Sequence, residues 1–255
     1  MNAFIIHGGL LLLAYLSAMF AVVIIKKDRS IGNFTWGGGV ALLGLYTLIA
    51  TGTYLPRHLL ATTLIMIWCA RLAFYVYSRY KKGADPRYVA WVNQRGLTAH
   101  LLTAGWIFVL NGGMAIIMAL PIMIINTSST PGLDLLDWCA FITWWIGYAC
   151  EAVADYQLST FIKNPENKSK IMDTGLWRYS RHPNYFGEIV MWWSIFLIAL
   201  STPFGLISII APMAITISLC FVTGIPWNEA VFANNPAYQA YKKRTSVLIP
   251  WFVKK

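Results

Sequence analysis

Seven runs of apolar residues, each long enough to cross a bilayer, decide what this chain can fold into. They lie near 3 to 25, 35 to 54, 58 to 78, 101 to 125, 135 to 160, 185 to 201 and 203 to 224. A helix needs about 20 such residues to span the hydrocarbon layer, where every backbone N–H and C=O must find its partner inside the helix. The expectation is an all-α integral membrane protein of about seven transmembrane helices. Composition agrees, since 58% of the residues are hydrophobic and only 12% are charged, far from the balance of a soluble domain. No internal repeat or low-complexity linker divides the chain, so 1–255 reads as a single membrane domain.

The basic residues set the expected topology. Lys26, Lys27 and Arg29 follow the first run, a basic group from Arg79 to Arg95 follows the third, Lys163 to Arg181 follows the fifth, and Lys242 to Lys255 closes the chain. With seven spans these all fall on one side and Arg57 alone falls on the other, which places the N-terminus outside and the C-terminus in the cytoplasm. The first run has no positive charge ahead of it and is read as a retained helix. The net charge of +10 then follows from topology and contact with anionic lipid headgroups, and calls for no nucleic-acid partner.

Cys69, Cys139, Cys150 and Cys220 sit inside the expected spans without CxxC spacing and read as small buried hydrophobes. His7, His58, His100 and His182 form no HxH or HxxxH pair, so no metal site is expected. Gly37, Gly38 and Gly39 form a small-residue run in the second span that favours close helix contact.

The chemistry concentrates in residues 175 to 193, GLWRYSRHPNYFGEIVMWW. Arg178, Arg181, His182, Asn184 and Glu188 crowd the start of an otherwise apolar run, and burying them beside hydrocarbon requires partners. Trp177, Tyr179, Tyr185 and Phe186 can wall a slot for a flat, charged guest. Pro183 suits the first turn of a helix whose free amides would face an anion. A belt that merely anchors a helix at the headgroups would need neither Asn184 nor Glu188. Further polar residues within spans are Arg71 in the third and the pair Glu151 and Asp155 in the fifth, whose spacing of four puts both carboxylates on one helix face. After the seventh run, Trp227, Tyr238, Tyr241 and Trp251 interleave with basic residues, and Pro226, Pro236 and Pro250 divide the segment, as in an interfacial helix that returns to the membrane surface. Such a tail can close over a site or serve as an anchor.

The motif from Gly175 to Glu188, with Glu151-x-x-x-Asp155 before it and Tyr241-Lys242-Lys243-Arg244-Thr245-Ser246 and then Ile249-Pro250 after it, resembles the bacterial branch of the steroid 5-alpha-reductase family. The likeness runs from about Ser30 to Phe252 and is specific in the carboxy-terminal half, the earlier spans matching mainly in layout. It implies a multi-pass enzyme of the bacterial cytoplasmic membrane that binds NADPH from the cytoplasmic side and reduces a carbon–carbon double bond conjugated to a ketone in a hydrophobic, steroid-like or lipid-like substrate. Carried over by position, Asn184 and Glu188 would hold the nicotinamide carboxamide region, and Glu151 and Asp155 the ribose or amide groups. Arg178, Arg181 and Arg244 would lie near phosphates, beside His182, and Tyr185 and Tyr241 would line the cofactor. Residues 101–255 would then form the cofactor half and 1–100 the substrate half.

The chain departs from the steroid-reducing relatives in its carbonyl donors. It has no acidic residue between Gly32 and Tyr54, and Trp68 stands three residues before Arg71 where those relatives have a tyrosine. Tyr46, Tyr75 and Tyr77 are the candidate substitutes for the catalytic hydroxyl, and little activity on 4-ene-3-keto steroids is expected. Two other readings stay open. Arg181-His182-Pro183-x-Tyr185 with the later Glu229 also resembles the isoprenylcysteine carboxyl methyltransferase and phospholipid methyltransferase group, whose cofactor is S-adenosylmethionine. A non-enzymatic membrane bundle would bind neither cofactor.

Overall fold

The computed structural model describes residues 2–26, 32–80, 86–168 and 170–253. Lys27, Arg29, Lys81, Lys82 and Lys255, which contribute to the basic side of the expected topology, lie outside them. The protein is an all-α, multi-span membrane protein. Among the described residues, six helical stretches are long and apolar enough to cross a bilayer: Phe4–Lys26, Phe34–Thr51, Pro56–Tyr77, Phe108–Thr127, Pro183–Leu200 and Gly205–Ala230. The chain packs as two compact units, Met1–Leu133 with Ala199–Ala211, and Asp134–Ile198 with Pro212–Lys255.

The first unit is built on α1 (Asn2–Lys26), α2 (Gly32–Thr51), α3 (Pro56–Tyr80) and α4 (Pro86–Thr127), the last broken at Gly96, where φ is 77°. Helix α2 packs against the other three, and its triple glycine explains how. Successive helical residues point about 100° apart, so the three bare Cα positions face three directions. A methyl group on Gly37 would strike Leu72 of α3, one on Gly38 would strike Tyr15 of α1, and one on Gly39 would meet Ala115 of α4 and Leu12 of α1. Trp68 is buried against Gly37 and Trp36, with the two indoles 5.1 Å apart.

A polar staple ties three of these helices inside the membrane. The Asn126 amide of α4 donates to the Gly44 carbonyl and the Thr47 hydroxyl of α2 at 3.0 and 3.1 Å, and to the Thr62 hydroxyl of α3 at 3.3 Å. All three side chains are buried, so the amide has no water to fall back on. The outward faces stay apolar, with Ile5, Ile6, Leu10 and Leu13 of α1 exposed to what is a hydrocarbon solvent here.

In the second unit, α5 (Leu135–Lys163) starts from a capping box in which Asp134 and Asp137 each accept from the other's backbone N–H. Helix α6 (Pro183–Leu200) begins at the proline that the sequence places there. The two meet at bare backbone: a methyl on Gly187 would lie 2.5 Å from the Gly147 carbonyl oxygen and 2.7 Å from the Glu151 amide nitrogen. Trp193 of α6 donates to Thr216 of α7 (Ile210–Ile217) at 3.3 Å. A π-turn over Ser218–Val222 leads into α8 (Ile225–Ala230), and α9 (Pro236–Arg244) follows, its N-terminus capped by Asn235.

Helix α5 falls outside the six stretches because it carries Asp137, Glu151 and Asp155. Its 29 residues nonetheless reach about 43 Å, more than the ~30 Å hydrocarbon thickness. Trp138, Ile142, Ile146, Val153 and Tyr156 form an exposed apolar stripe along its length, opposite buried Asp137 and Glu151.

Whether α5 crosses decides the parity of the fold. Reporter fusions at the two ends are expected to place the N-terminus outside and the C-terminus in the cytoplasm; both ends on one side would show that α5 does not cross. Asn126→Leu should lower stability in detergent by about 1 kcal/mol, and up to ~2, measured by reversible unfolding.

Candidate functional site

The polar stretch that precedes α6 folds as a platform. Residues Gly175–Arg178 form a short 3-10 turn entered through Gly175 at φ 60°, where a side chain would collide with the Gln157 amide of α5. Gln157 fixes the turn by accepting from the Leu176 N–H at 3.0 Å, and the buried Trp177 indole donates to the Ala154 carbonyl at 3.1 Å. The apolar stripe of α5 thus leaves its opposite face to seat the motif.

Arg181 leaves this platform pointing inward. It is 8% exposed, and its Nε donates to Glu229 Oε1 of α8 at 2.8 Å. Its Nη1 donates to the Lys242 and Thr245 carbonyls at 3.0 and 2.8 Å. Glu229 gathers an imidazole and a second cation: His182 Nε2 lies 3.3 Å from Oε1, and Lys242 Nζ lies 2.7 Å from Oε2. The C-terminal strap is laced to the same segment. The Arg181 N–H donates to the Ser246 carbonyl at 2.8 Å, Ser180 Oγ to the Leu248 carbonyl at 2.7 Å, and the Trp251 N–H to the Tyr179 carbonyl at 3.0 Å. Ser180 and Ser246 make an isolated parallel bridge. The buried Tyr241 hydroxyl donates to the Trp177 carbonyl beneath. Arg181, His182 and Tyr241 therefore already have protein partners in this structure.

Burial pushes the His182 imidazole below its ordinary value, against the opposing pull of the Glu229 carboxylate. Burial likewise raises the Tyr241 phenol, and moves that of Tyr238 up to about 12. The His182 ring stacks on Tyr185 with centroids 5.4 Å apart, and the Tyr185 hydroxyl accepts from Asn228 at 2.6 Å.

The remaining residues of the expected cofactor set divide into two groups. On the α5–α6 face, the Asn184 amide donates to Asp155 Oδ1 at 3.3 Å, while Asn184 Oδ1 is buried with no hydrogen-bond partner among the described residues. Glu151 is buried one turn before Asp155, and Glu188 Oε1, one turn after Asn184, accepts from the Trp192 indole at 3.0 Å. At the surface, Arg178 is exposed and Arg244 pairs with Asp173, beside a cleft of about 360 Å³ lined by these three residues, Gly175 and Thr245.

The candidate catalytic tyrosines belong to the first unit. The Tyr46 hydroxyl donates to the Phe4 carbonyl of α1 at 2.9 Å, so it ties α2 to α1. Tyr75 and Tyr77 stand 39% and 56% exposed near the end of α3. Reading the motif alone misses Glu229 as the partner of Arg181, and Asp173 and Gln157 as the partners of Arg244 and of the turn. A signal for the first exists, because Glu229 is the one acidic residue in the sequence after Glu188. A buried arginine in this part of the chain has little other choice.

The chain belongs to the DUF1295 family, described as proteins of unknown function, whose model matches residues 19–245. No curated protein and no solved structure matches it.

Two outcomes follow from the Arg181 cluster. Glu229→Ala leaves a buried guanidinium without its counter-ion and should destabilise the folded protein by about 3–5 kcal/mol, read from unfolding in detergent. Because the folded His182 titrates below its ordinary value of ~6.5, the unfolded chain takes up a proton that the folded chain refuses as the pH drops beneath that value. Stability present above pH ~6.5 is therefore lost on acidification, and the slope of Tm against pH between 7.5 and 5 should flatten in His182→Asn.

Proposed function

We propose that the chain is an NADPH-dependent membrane reductase of a carbon–carbon double bond conjugated to a ketone in a hydrophobic, lipid-like molecule. One observation carries the reading: an asparagine in the first turn of a membrane helix gives its N–H to Asp155 and keeps a buried carbonyl oxygen that no described group satisfies. Leaving such an acceptor dry costs about 1–3 kcal/mol, so a donor is called for. A primary carboxamide is complementary, offering N–H to Asn184 Oδ1. The exposed guanidinium of Arg178 and that of Arg244 suit phosphates, which planar guanidinium groups engage through two parallel hydrogen bonds.

These residues fit the group that the motif resemblance implies. Asn184, Asp155, Glu151 and Glu188 would hold its amide and ribose end, and Arg178 and Arg244 its phosphates. NADPH supplies a hydride when bound. The chain's own part is to bind and orient it, to keep water from the apolar acceptor, and to present a hydroxyl to the ketone oxygen as negative charge develops there. Tyr75, Tyr77 and Tyr46 are the proposed hydroxyls.

A second reading is favoured by the meeting of Arg181, His182 and Glu229. These residues also carry the likeness to the S-adenosylmethionine-dependent membrane methyltransferases. It ranks lower because the three already neutralise one another, whereas Asn184 does not have its acceptor filled.

Purified protein in mild detergent, heated with NADPH, NADH or S-adenosylmethionine, separates these readings. NADPH at 100 times its Kd should stabilise the fold by about 2.7 kcal/mol, and Asn184→Ala should abolish most of that gain while leaving the unliganded Tm within reach of the parent. Stabilisation by S-adenosylmethionine alone would reverse the ranking, and stabilisation by none of the three would leave the non-enzymatic bundle.

A further inference from the structure

The cleft beside Arg244 contains its own anion. Asp173 and Arg244 form an ion pair across it, with side chains 38% and 49% exposed, and the exposed Arg178 shares the wall. If the pair were there to hold the cleft together, other bonds would be scarce, and they are not. The Asp173 side is fixed by the Gly175 turn on Gln157. The Arg244 side is fixed where Thr245 Oγ1 donates to the Arg178 carbonyl at 3.3 Å and the Thr245 carbonyl accepts from Arg181 at 2.8 Å. A half-exposed ion pair also adds little stability of its own, since water and salt screen it. What the pair does change is charge: the three ionised groups of the cleft sum to one positive with Asp173 present and to two without it.

We infer that Asp173 is a tethered counter-anion that occupies Arg244 until a phosphate group takes its place, and so sets which ligands the cleft admits. A phosphate monoester carries up to two negative charges and a diphosphate two or more, each with several acceptor oxygens, enough to engage both guanidinium groups and displace a single carboxylate. A neutral or singly charged polar molecule is not, and leaves the pair closed. Weak anions are rejected by competition rather than by shape. The phosphate can belong to a nucleotide or to an anionic lipid headgroup. Where it belongs to NADPH, the inference rests on the function proposed above.

The test is Asp173→Asn in the full chain, purified in detergent. Binding is measured for NADPH, inorganic pyrophosphate and a short-chain phosphatidic acid, alongside Tm, with Arg244→Ala as the control that empties the site. An asparagine cannot compete for Arg244 as an anion, so at least one of these ligands is expected to bind about two- to fivefold tighter in Asp173→Asn, with no loss of Tm, and more weakly in Arg244→Ala. A gain with pyrophosphate and NADPH assigns the phosphate to a nucleotide. A gain confined to phosphatidic acid assigns it to a headgroup. If pyrophosphate gains while NADPH binds neither form, the counter-anion stands and the proposed reductase falls. If NADPH binds both forms equally and neither pyrophosphate nor phosphatidic acid gains, the reverse holds. Weaker binding or a lowered Tm in Asp173→Asn would make the pair a structural tie and overturn the inference, as would binding of none of the three probes.

Discussion

A guanidinium group at 8% exposure, beside the first turn of a membrane helix, is the constraint around which the second unit is arranged. Taking that charge out of water is affordable only where the counter-charge and the hydrogen bonds are both complete. Arg181 meets the requirement with one carboxylate and two carbonyls, and each comes from a different place: Glu229 from α8, Lys242 from α9, Thr245 from the strap. Helix α8, helix α9 and the strap are thereby located by one side chain. Ile249, Trp251 and Phe252 remain exposed after the tail has folded back, so its return rests on polar contacts of this kind, with the hydrogen bonds to Tyr179 and Ser180 beside them.

The helices were legible because the bilayer imposes a simple rule, a long apolar run, and because Pro183, Gly37, Gly38 and Gly39 act locally. Pro183 stands at the first residue of α6 and the glycines lie where α2 touches its neighbours. The count was less legible. Asp137, Glu151 and Asp155 lower the apolarity of α5, and whether a helix with buried acids crosses is a matter of what those acids meet, which composition does not record. In the candidate site, the sequence exposed which residues are expensive to bury and not how they are satisfied. Asn184 and Glu188 were read as calling for partners, and they find Asp155 and Trp192, the second only one turn away. The arginines looked alike along the chain. In the fold, Arg181 is internal, Arg178 is exposed and Arg244 is bound to Asp173. For Arg178 and Arg181 that sorting depends on the direction each takes from the Gly175 turn, and the turn depends on Gln157, a residue with no motif around it.

Close backbone contact has a different role in each unit. In the first, the three glycines let one helix be central. In the second, Gly147 and Gly187 bring two backbones together so tightly that neither helix can turn about its axis without a clash. The rotational setting of α5 against α6 is thus held by atoms present in every residue, and the orientation of Asp155 towards Asn184 follows from it. Packing of this kind relies on van der Waals fit, which suits a lipid solvent where burial of apolar surface gives no drive for helices to associate.

The lacing of the strap also gives the protein a clock. The groups that neutralise and satisfy Arg181 come 48 to 64 residues after it in the chain. At a synthesis rate of about 5–20 residues per second, the ribosome delivers the last of them roughly 3–13 s after the arginine itself. For that interval the nascent second unit holds a cation that cannot yet be buried, so α6 must wait at the membrane edge with its head in water. Contacts this distant in sequence are slow to close. The newborn chain therefore spends seconds with this polar segment open to water, the period in which insertion machinery and proteases have their access to it.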